Sequence, residues 1–180
     1  MKPSKFQDKL HKAQTVRGTN RALLIVPRLS KMPLPMQRYD DPFLPFGKAI
    51  IAATQDLVCA YVFDLAAYLA IGAAGAVALE RTIASVNDDT VTILHGPFVG
   101  SGYIEAAEAF KTDAVTLAHE EDEAVYKLAG VGALVVTRWS LDGSNVAAGD
   151  SQLWLMPFGE NVLYAGRGDD FAEQVRAQLR

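Results

Sequence analysis

Residues 57–96 read LVCAYVFDLAAYLAIGAAGAVALERTIASVNDDTVTILHG and contain two uniformly apolar segments separated by a helical pattern. The apolar segments, 57–63 and 90–96, lack the alternation of polar and apolar residues that a strand with one solvent-facing side shows. Strands that are apolar throughout and are linked by helices are typical of a parallel sheet covered on both faces. We therefore predict a β–α–β unit in this stretch.

The same alternation of strands and helices continues on both sides of this unit. Beyond the two segments above, strands are predicted at 22–27, 114–118, 132–138, 153–157 and 161–166. The resulting α/β chain of about seven strands fits either a doubly wound sheet or a (β/α) barrel of the TIM type. A full barrel takes about 250 residues, so a chain of 180 residues would form a shortened one.

Helices are predicted at both ends of the chain. Phe6, Leu10 and Ala13 lie at helical spacing and predict an amphipathic helix within residues 1–16. The remaining assignments are a proline-rich loop at 29–46, a helix at 47–55, a loop at 139–152 and a closing helix at 169–180. We expect residues 1–180 to form a single domain.

Composition excludes several classes of function. A net charge of −4 gives no reason to expect nucleic acid or an anionic membrane as a partner. The lone Cys59 lies in an apolar run, which indicates a buried thiol and fits a reducing cytoplasm. The longest apolar run, 65–79, is too short to span a bilayer, and the N-terminus is polar. We therefore expect a cytoplasmic protein without membrane insertion.

Cofactor and metal motifs are not evident in the sequence. Neither a glycine-rich dinucleotide fingerprint nor a P-loop occurs, so no cofactor is expected. Residues 118–123, AHEEDE, combine a histidine with a run of acids and could suggest a metal site. Adjacent residues do not all point one way, so a solvated loop before a helix is favoured, and no metal is expected.

The third predicted strand ends in a glycine-rich loop, HGPFVGSG, at residues 95–102. Many α/β proteins place their chemistry in such a loop, yet this one contains no acid, lysine or arginine. His95 could act as a base, although a hydrogen-bonded structural role is favoured. Backbone N–H groups of the loop could also bind phosphate at the start of the following helix.

Several segments resemble bacterial orotidine 5′-monophosphate decarboxylases of the longer-chain subgroup. They are PRLSKMP (27–33), FGKAIIAATQDLVCAYVFDLAAYLAIGAAGAVALERTIA (46–84), DAVTLA (113–118) and VVTRWSLDGS (135–144). The resemblance is closest over 45–83 and weakest at the C-terminus. It implies a (β/α)₈ barrel, usually a homodimer, with ligand bound at the C-terminal ends of the strands.

The positions that carry catalysis in the family differ in this chain. The resemblance places Val26 where the first strand has an aspartate, and Val62 where the second strand has a lysine. The family's third strand carries Asp-Ala-Lys-Arg-Gly-Asp, whereas this chain has His95, Gly96 and Pro97 at that place. No residue of this chain is therefore assigned a catalytic role in decarboxylation.

Decarboxylation leaves a carbanion on the pyrimidine ring, which a nearby ammonium must stabilise and protonate. Valine and proline side chains can do neither. The leading hypothesis is a catalytically dead relative that serves as a binding, regulatory or structural subunit. The alternative is an enzyme of different chemistry on the same barrel, built from Asp64, His95, Arg138 and Ser140. A site filled by Phe63, Phe98 and Trp139 would count against that alternative.

Parts of the family's ligand site are retained. The resemblance places Ser140 at a serine that contacts the pyrimidine and Arg167 near a phosphate-binding arginine, so a uridine nucleotide or phosphate ligand is possible. Residues 144–153 leave no room for one βα unit of the family barrel. The barrel would then close with seven strands or leave a gap. A partner chain could cover that gap, which favours a homo-oligomer or a subunit of a larger assembly.

Overall fold

A computed structural model of the protein describes residues 5–135, 146–148 and 153–180. The strands are β1 (Arg21–Ile25), β2 (Ala60–Asp64), β3 (Val91–Phe98), β4 (Ala114–Leu117), β5 (Gly132–Val135), β6 (Val146–Ala148) and β7 (Leu153–Phe158). The helices are α1 (Lys5–Arg17), α2 (Phe43–Thr54), α3 (Leu65–Leu69), α4 (Ala73–Ile83), α5 (Ile104–Ala109), α6 (Glu123–Leu128), α7 (Glu160–Leu163) and α8 (Phe171–Gln178). Short 3₁₀ turns occur at Leu29–Lys31, Leu34–Met36 and Glu120–Asp122.

The described strands form one sheet in the order β5-β4-β3-β2-β1-β7-β6. Every neighbouring pair from β5 to β7 is parallel, and β6 pairs with β7 in the antiparallel sense. The last parallel strand thus returns to lie beside the first, as it does in a barrel. The six parallel strands and their helices form a curled half-barrel, which confirms the prediction of a shortened TIM-type fold.

The parallel strands are buried on both faces, as their uniformly apolar sequences predict. All four residues of β4 and of β5 are buried. In β1 and β2, the only residues that are not fully buried are Arg21 at the start of β1 and Asp64 at the end of β2. The helices cover the outer face of this sheet, so the polar groups that reach solvent are concentrated at the strand ends.

The N-terminal helix α1 closes the end of the sheet where the parallel strands begin. Phe6, Leu10 and Ala13 are its buried residues, which confirms the predicted amphipathic helix. Phe6 lies against Gly132 of β5, where an added Cβ would come within 2.4 Å of the ring. Lys9 forms an ion pair of 2.7 Å with Asp113, next to the start of β4. These contacts leave the opposite end of the sheet for the site.

Two sequence predictions about the C-terminal region are wrong. Residues 161–166 were expected to form a strand, but α7 covers Glu160–Leu163. A short apolar run has no periodicity that separates strand from helix. The predicted loop 139–152 contains strand β6, which pairs with β7.

Helix α2 begins earlier than predicted. It starts at Phe43 rather than at residue 47 and includes Pro45 in its first turn. Proline is tolerated there because the first backbone N–H groups of a helix have no partner within the helix. No helix in the described part of the chain is long and apolar enough to cross a membrane.

Candidate functional site

A cavity of about 510 Å³ opens at the C-terminal ends of β1, β2, β3 and β7. Its volume lies in the range of small-molecule sites, roughly 300–1,000 Å³. The lining residues are Leu24, Val26, Arg28, Val62, Asp64, His95, Met156, Pro157, Phe158, Gly159, Glu160, Asn161 and Val162. The strand topology therefore brings together four residues that the sequence placed at three separate strand ends: Val26, Val62, Asp64 and His95.

The base of the cavity is apolar. Leu24, Val26 and Val62 are exposed by only 2%, 8% and 1% of their surface. This part of the cavity consequently offers hydrophobic contact and no titratable group.

His95 lines the cavity, and a hydrogen bond to the neighbouring strand β4 holds its ring in place. Its Nδ1 lies 3.0 Å from Oγ1 of Thr116, a fully buried residue of β4. The Thr116 hydroxyl donates to the carbonyl oxygen of Gly96 at 2.8 Å, so we assign the imidazole Nδ1–H as the donor to Oγ1. Burial lowers the pKa of His95, and the charge of Asp64 opposes this shift only in part. The imidazole is therefore neutral at pH 7.

Asp64 lies next to His95, because the two residues are partners in the parallel register of β2 and β3. Its Oδ1 accepts a hydrogen bond of 2.7 Å from the backbone N–H of Ala67 and thereby caps helix α3. An aspartate at this position explains why the chain turns from strand to helix directly after β2. The cap also fixes the carboxylate at the edge of the cavity.

Arg28, Lys31 and Glu160 form an ion-pair cluster at the rim of the cavity. Glu160 accepts hydrogen bonds from Nε of Arg28 and, at 2.6 Å, from Nζ of Lys31. Burial raises the pKa of Glu160, but the hydrogen bonds from Lys31 and Arg28 outweigh burial and the net shift is downward. Glu160 is therefore ionised at neutral pH, and each of the two cations has a carboxylate oxygen as its partner.

Tyr164 connects this rim to the sheet. Its hydroxyl accepts a hydrogen bond of 2.8 Å from the backbone N–H of Arg28 and donates one of 2.9 Å to the carbonyl oxygen of Val26. Burial raises the pKa of Tyr164 to about 12. Sequence reasoning missed Arg28, Glu160 and Tyr164 as parts of the site, since Arg28 lies more than a hundred residues before the other two.

The glycine-rich loop after β3 is packed rather than open. The Phe98 ring is 5% exposed and stacks on Tyr103 at a centroid distance of 4.1 Å. The backbone N–H of Gly100 donates to Oδ2 of Asp122 at 2.8 Å, and the Tyr126 hydroxyl donates to the Gly100 carbonyl at 2.9 Å. The Gly100 N–H faces a carboxylate, which disfavours the phosphate-binding role considered for this loop.

The other predicted site residues lie elsewhere. Arg138, Ser140 and Trp139 lie outside the described residues, so their predicted roles stay predictions. Arg167 is exposed, is not part of the cavity lining, and accepts a hydrogen bond on its backbone carbonyl from Leu34. Phe63 and Phe98 do not line the cavity, so neither ring fills it.

The acidic stretch 118–123 serves the fold through Asp122, which holds the glycine-rich loop. Over residues 5–135, 146–148 and 153–180, no group of three or more His, Cys, Asp or Glu side chains is arranged to hold a metal ion. Cys59 is buried, and burial raises its pKa to about 12, as expected for an inert thiol.

Comparison with known proteins identifies close sequence relatives. An orotidine 5′-phosphate decarboxylase from Thermomicrobium roseum is 33% identical over 168 residues, which are 86% of this chain and 57% of that protein. The enzyme of the same name from Herpetosiphon aurantiacus is 35% identical over 118 residues, 62% of this chain and 44% of that protein. No protein-family model matches the chain.

The fold comparison agrees with the sequence comparison. A crystal structure of an orotidine-monophosphate-decarboxylase from Toxoplasma gondii superposes with a TM-score of 0.63 and 27% identity, covering 74% of this chain and 49% of that one. The chain spans about half the length of the curated relatives it matches. Similarity in sequence and in fold leads to the same conclusion: the chain belongs to the orotidine 5′-phosphate decarboxylase family.

Proposed function

We propose that this protein is a non-decarboxylating member of its family that keeps the barrel cavity as a small-molecule binding site. The observation that carries the proposal is the apolar base of the cavity. Val26 and Val62 line it, and the family resemblance aligns them with an aspartate of the first strand and a lysine of the second. His95 stands at the start of the third-strand motif, in place of an aspartate.

Among the described residues that line the cavity, the remaining groups do not replace the missing ammonium. Decarboxylation needs a cation that stabilises the ring carbanion and then protonates it. Arg28 is paired with Glu160, and this hydrogen bond raises its pKa above an already high ordinary value. A guanidinium does not release its proton in proteins, and the buried His95 is neutral.

We expect the purified protein to form no uridine monophosphate from orotidine monophosphate above the rate without protein. The reason is the loss of the lysine and aspartate positions described above. Product formation is measured by chromatography over hours, with the Thermomicrobium roseum decarboxylase as a positive control. Formation of uridine monophosphate that a His95→Gln or Arg138→Gln substitution abolishes would overturn the proposal.

A non-catalytic member of the family could act as a binding, regulatory or structural subunit. Self-association, or assembly with another protein, stays a prediction from the family resemblance and from the shortened barrel. Retention of a uridine nucleotide through Ser140 and Arg167 also stays a prediction. Native mass spectrometry of the protein from its source measures the assembly state. A thermal-shift titration with uridine monophosphate measures nucleotide binding.

A second candidate function is an enzyme of different chemistry in which His95 accepts a proton from the ligand. It is favoured by the neighbouring positions of His95 and Asp64 in the cavity and by the bond of Nδ1 to Thr116. That bond orients the imidazole in the way that a supporting group orients a general base. A base of this kind must be neutral at the working pH.

The titration of His95 tests this candidate. We expect its pKa to lie below the ordinary value of about 6.5, because burial disfavours the imidazolium. An Asp64→Asn substitution should lower the pKa further, since it removes the negative charge that opposes the shift. The measurement is the proton NMR shift of the imidazole C2–H against pH, assigned with a His95→Gln variant. A pKa above 7 would exclude His95 as a base at neutral pH.

A further inference from the structure

We propose that Thr116 is the positioning residue of His95: it holds the imidazole in one orientation and leaves Nε2 as the nitrogen that gains and loses a proton. The inference rests on the second candidate function above and deepens it, since it assigns the atom of His95 that would accept a proton from a ligand. It follows from the hydrogen bonds around one buried hydroxyl and from an irregularity in the sheet.

Thr116 contacts β3 where the regular pairing of β3 and β4 is interrupted. Residues 95–97 of β3 lie opposite the single residue Thr116 of β4, between two regular pairs. There the Thr116 hydroxyl accepts a hydrogen bond of 3.0 Å from the backbone N–H of Gly96 and donates one of 2.8 Å to the Gly96 carbonyl oxygen. Bulges next to functional sites commonly change the direction of a side chain, and this one places His95 against Thr116.

The Thr116 hydroxyl uses its whole hydrogen-bonding capacity. A hydroxyl has one proton and two lone pairs. The proton and one lone pair serve Gly96, and Nδ1 of His95 lies 3.0 Å from Oγ1. If the hydroxyl donated to Nδ1 instead, Oγ1 and the Gly96 carbonyl oxygen would lie 2.8 Å apart with no proton between them. The second lone pair therefore accepts from Nδ1–H, and in the neutral ring Nε2 carries no proton.

The same hydrogen bond serves both protonation states of His95. The neutral ring donates from Nδ1–H, and the imidazolium has N–H groups at both nitrogens, so Nδ1–H still donates to Thr116. Uptake and release of a proton at Nε2 consequently require no rotation of the ring or of the hydroxyl. A supporting group that is already in place avoids the free-energy cost of reorganisation during proton transfer.

The presence of threonine at this position supports a role for the hydroxyl. Thr116 is fully buried, and the other residues of β4 are apolar. Valine has nearly the same shape and would fill the position without a polar atom. A buried hydroxyl costs free energy unless it is hydrogen-bonded, and here its partners are Gly96 and His95.

The tautomer of His95 in the unsubstituted protein is the first measurement. Long-range ¹H–¹⁵N correlation NMR of the full chain, at a pH above the pKa of His95, separates protonated from unprotonated ring nitrogens. A His95→Gln variant identifies its signals among those of the three histidines. We expect a proton on Nδ1 and none on Nε2. The Nε2–H tautomer, which predominates in free histidine, would overturn the inference.

Two substitutions of Thr116 connect the tautomer to the hydroxyl. Thr116→Val removes the acceptor, so the ratio of the Nδ1–H to the Nε2–H tautomer should fall by about fivefold or more, the factor that one typical hydrogen bond contributes. The pKa of His95 should fall as well, because Oγ1 stabilises the charged imidazolium donor more than the neutral one. Thr116→Ser keeps the hydroxyl and should retain both values.

The matched control is Thr92→Val. Thr92 is a buried threonine of β3 whose hydroxyl bonds to Asp113 and not to His95. This substitution should change neither the tautomer ratio nor the pKa of His95. Asp64 of β2 also acts on the charge of His95, and its contribution is common to all of these variants.

A merely structural role for Thr116 predicts a pKa shift of opposite sign. A loosened sheet would admit water to His95 and raise its pKa toward the ordinary value of about 6.5. That result, or a tautomer ratio that Thr116→Val leaves unchanged, would overturn the inference. The measurement on the unsubstituted protein decides between the tautomers even if Thr116→Val does not fold. Formation of uridine monophosphate would overturn the proposed function and leave the tautomer assignment intact, so the two failures are distinguishable.

Discussion

Replacing Gly75 by alanine is expected to lower the free energy of unfolding by about 3 kcal/mol, the upper end of the usual range for overpacking. Gly75 is buried in the first turn of α4, where the helix meets the end of α3. A Cβ added there would lie 1.8 Å from the backbone carbonyl oxygen of Tyr68. This oxygen belongs to the backbone of α3 and cannot rotate away as the end of a flexible side chain can. The two helices must therefore move apart. Chemical denaturation followed by circular dichroism measures the loss.

Gly102→Ala is the matched control for this substitution. An added Cβ at Gly102 meets no atom within 4 Å, and its φ does not lie in the left-handed region. The same chemical change should therefore shift the free energy of unfolding by no more than about 0.5 kcal/mol. Equal effects of the two substitutions would contradict the close approach of α3 and α4.

Truncation of Phe46 to alanine is expected to lower the free energy of unfolding by about 3–5 kcal/mol. Phe46 is fully buried in α2, and its ring stacks on Tyr164 and on Phe171, with centroid distances of 5.7 and 5.8 Å. The three rings join α2 to the C-terminal helices α7 and α8. The change removes the central ring and leaves a cavity, so both the apolar contacts and the stacking are lost. Urea denaturation provides the measurement.

Tyr164→Phe separates the ring stack from the hydroxyl contacts. This variant keeps the stacking on Phe46 but removes the hydrogen bonds to Arg28 and Val26. We expect it to cost about 1 kcal/mol, the net contribution of a typical hydrogen bond, because the bond to Arg28 is exposed to solvent. A smaller loss for Phe46→Ala than for Tyr164→Phe would show that the stack does not anchor the C-terminal helices.

The class of fold could be predicted from the sequence because burial on two faces leaves a local pattern. The segments around Leu23, Val62 and Ile93 are apolar throughout, and a predicted helix separates each from the next strand. This pattern is sufficient to predict parallel strands with helical connections. The shortened barrel then follows from the chain length and the family resemblance. Helix α7 was missed because an apolar run as short as 162–163 has no period to detect.

Part of the candidate site was predictable from the parallel arrangement of the strands. The carboxyl ends of parallel strands lie at one edge of the sheet, so Val26, Val62, Asp64 and His95 could be expected to meet there. Thr116 as the partner of His95 could not be predicted, since the pairing depends on the register and on the bulge between Leu94 and Phe98. No sequence motif encodes a register of this kind.

The sequence by itself determined the parallel α/β architecture and the buried N-terminal helix. These features depend on the type and spacing of residues along the chain. Only the tertiary structure decided the ion-pair cluster at the rim of the cavity, because Glu160 reaches Arg28 and Lys31 across about 130 residues of sequence. Ion pairs act through space, so the sequence does not reveal which charged side chains will pair. The pairs are known only when the folded chain brings the partners together.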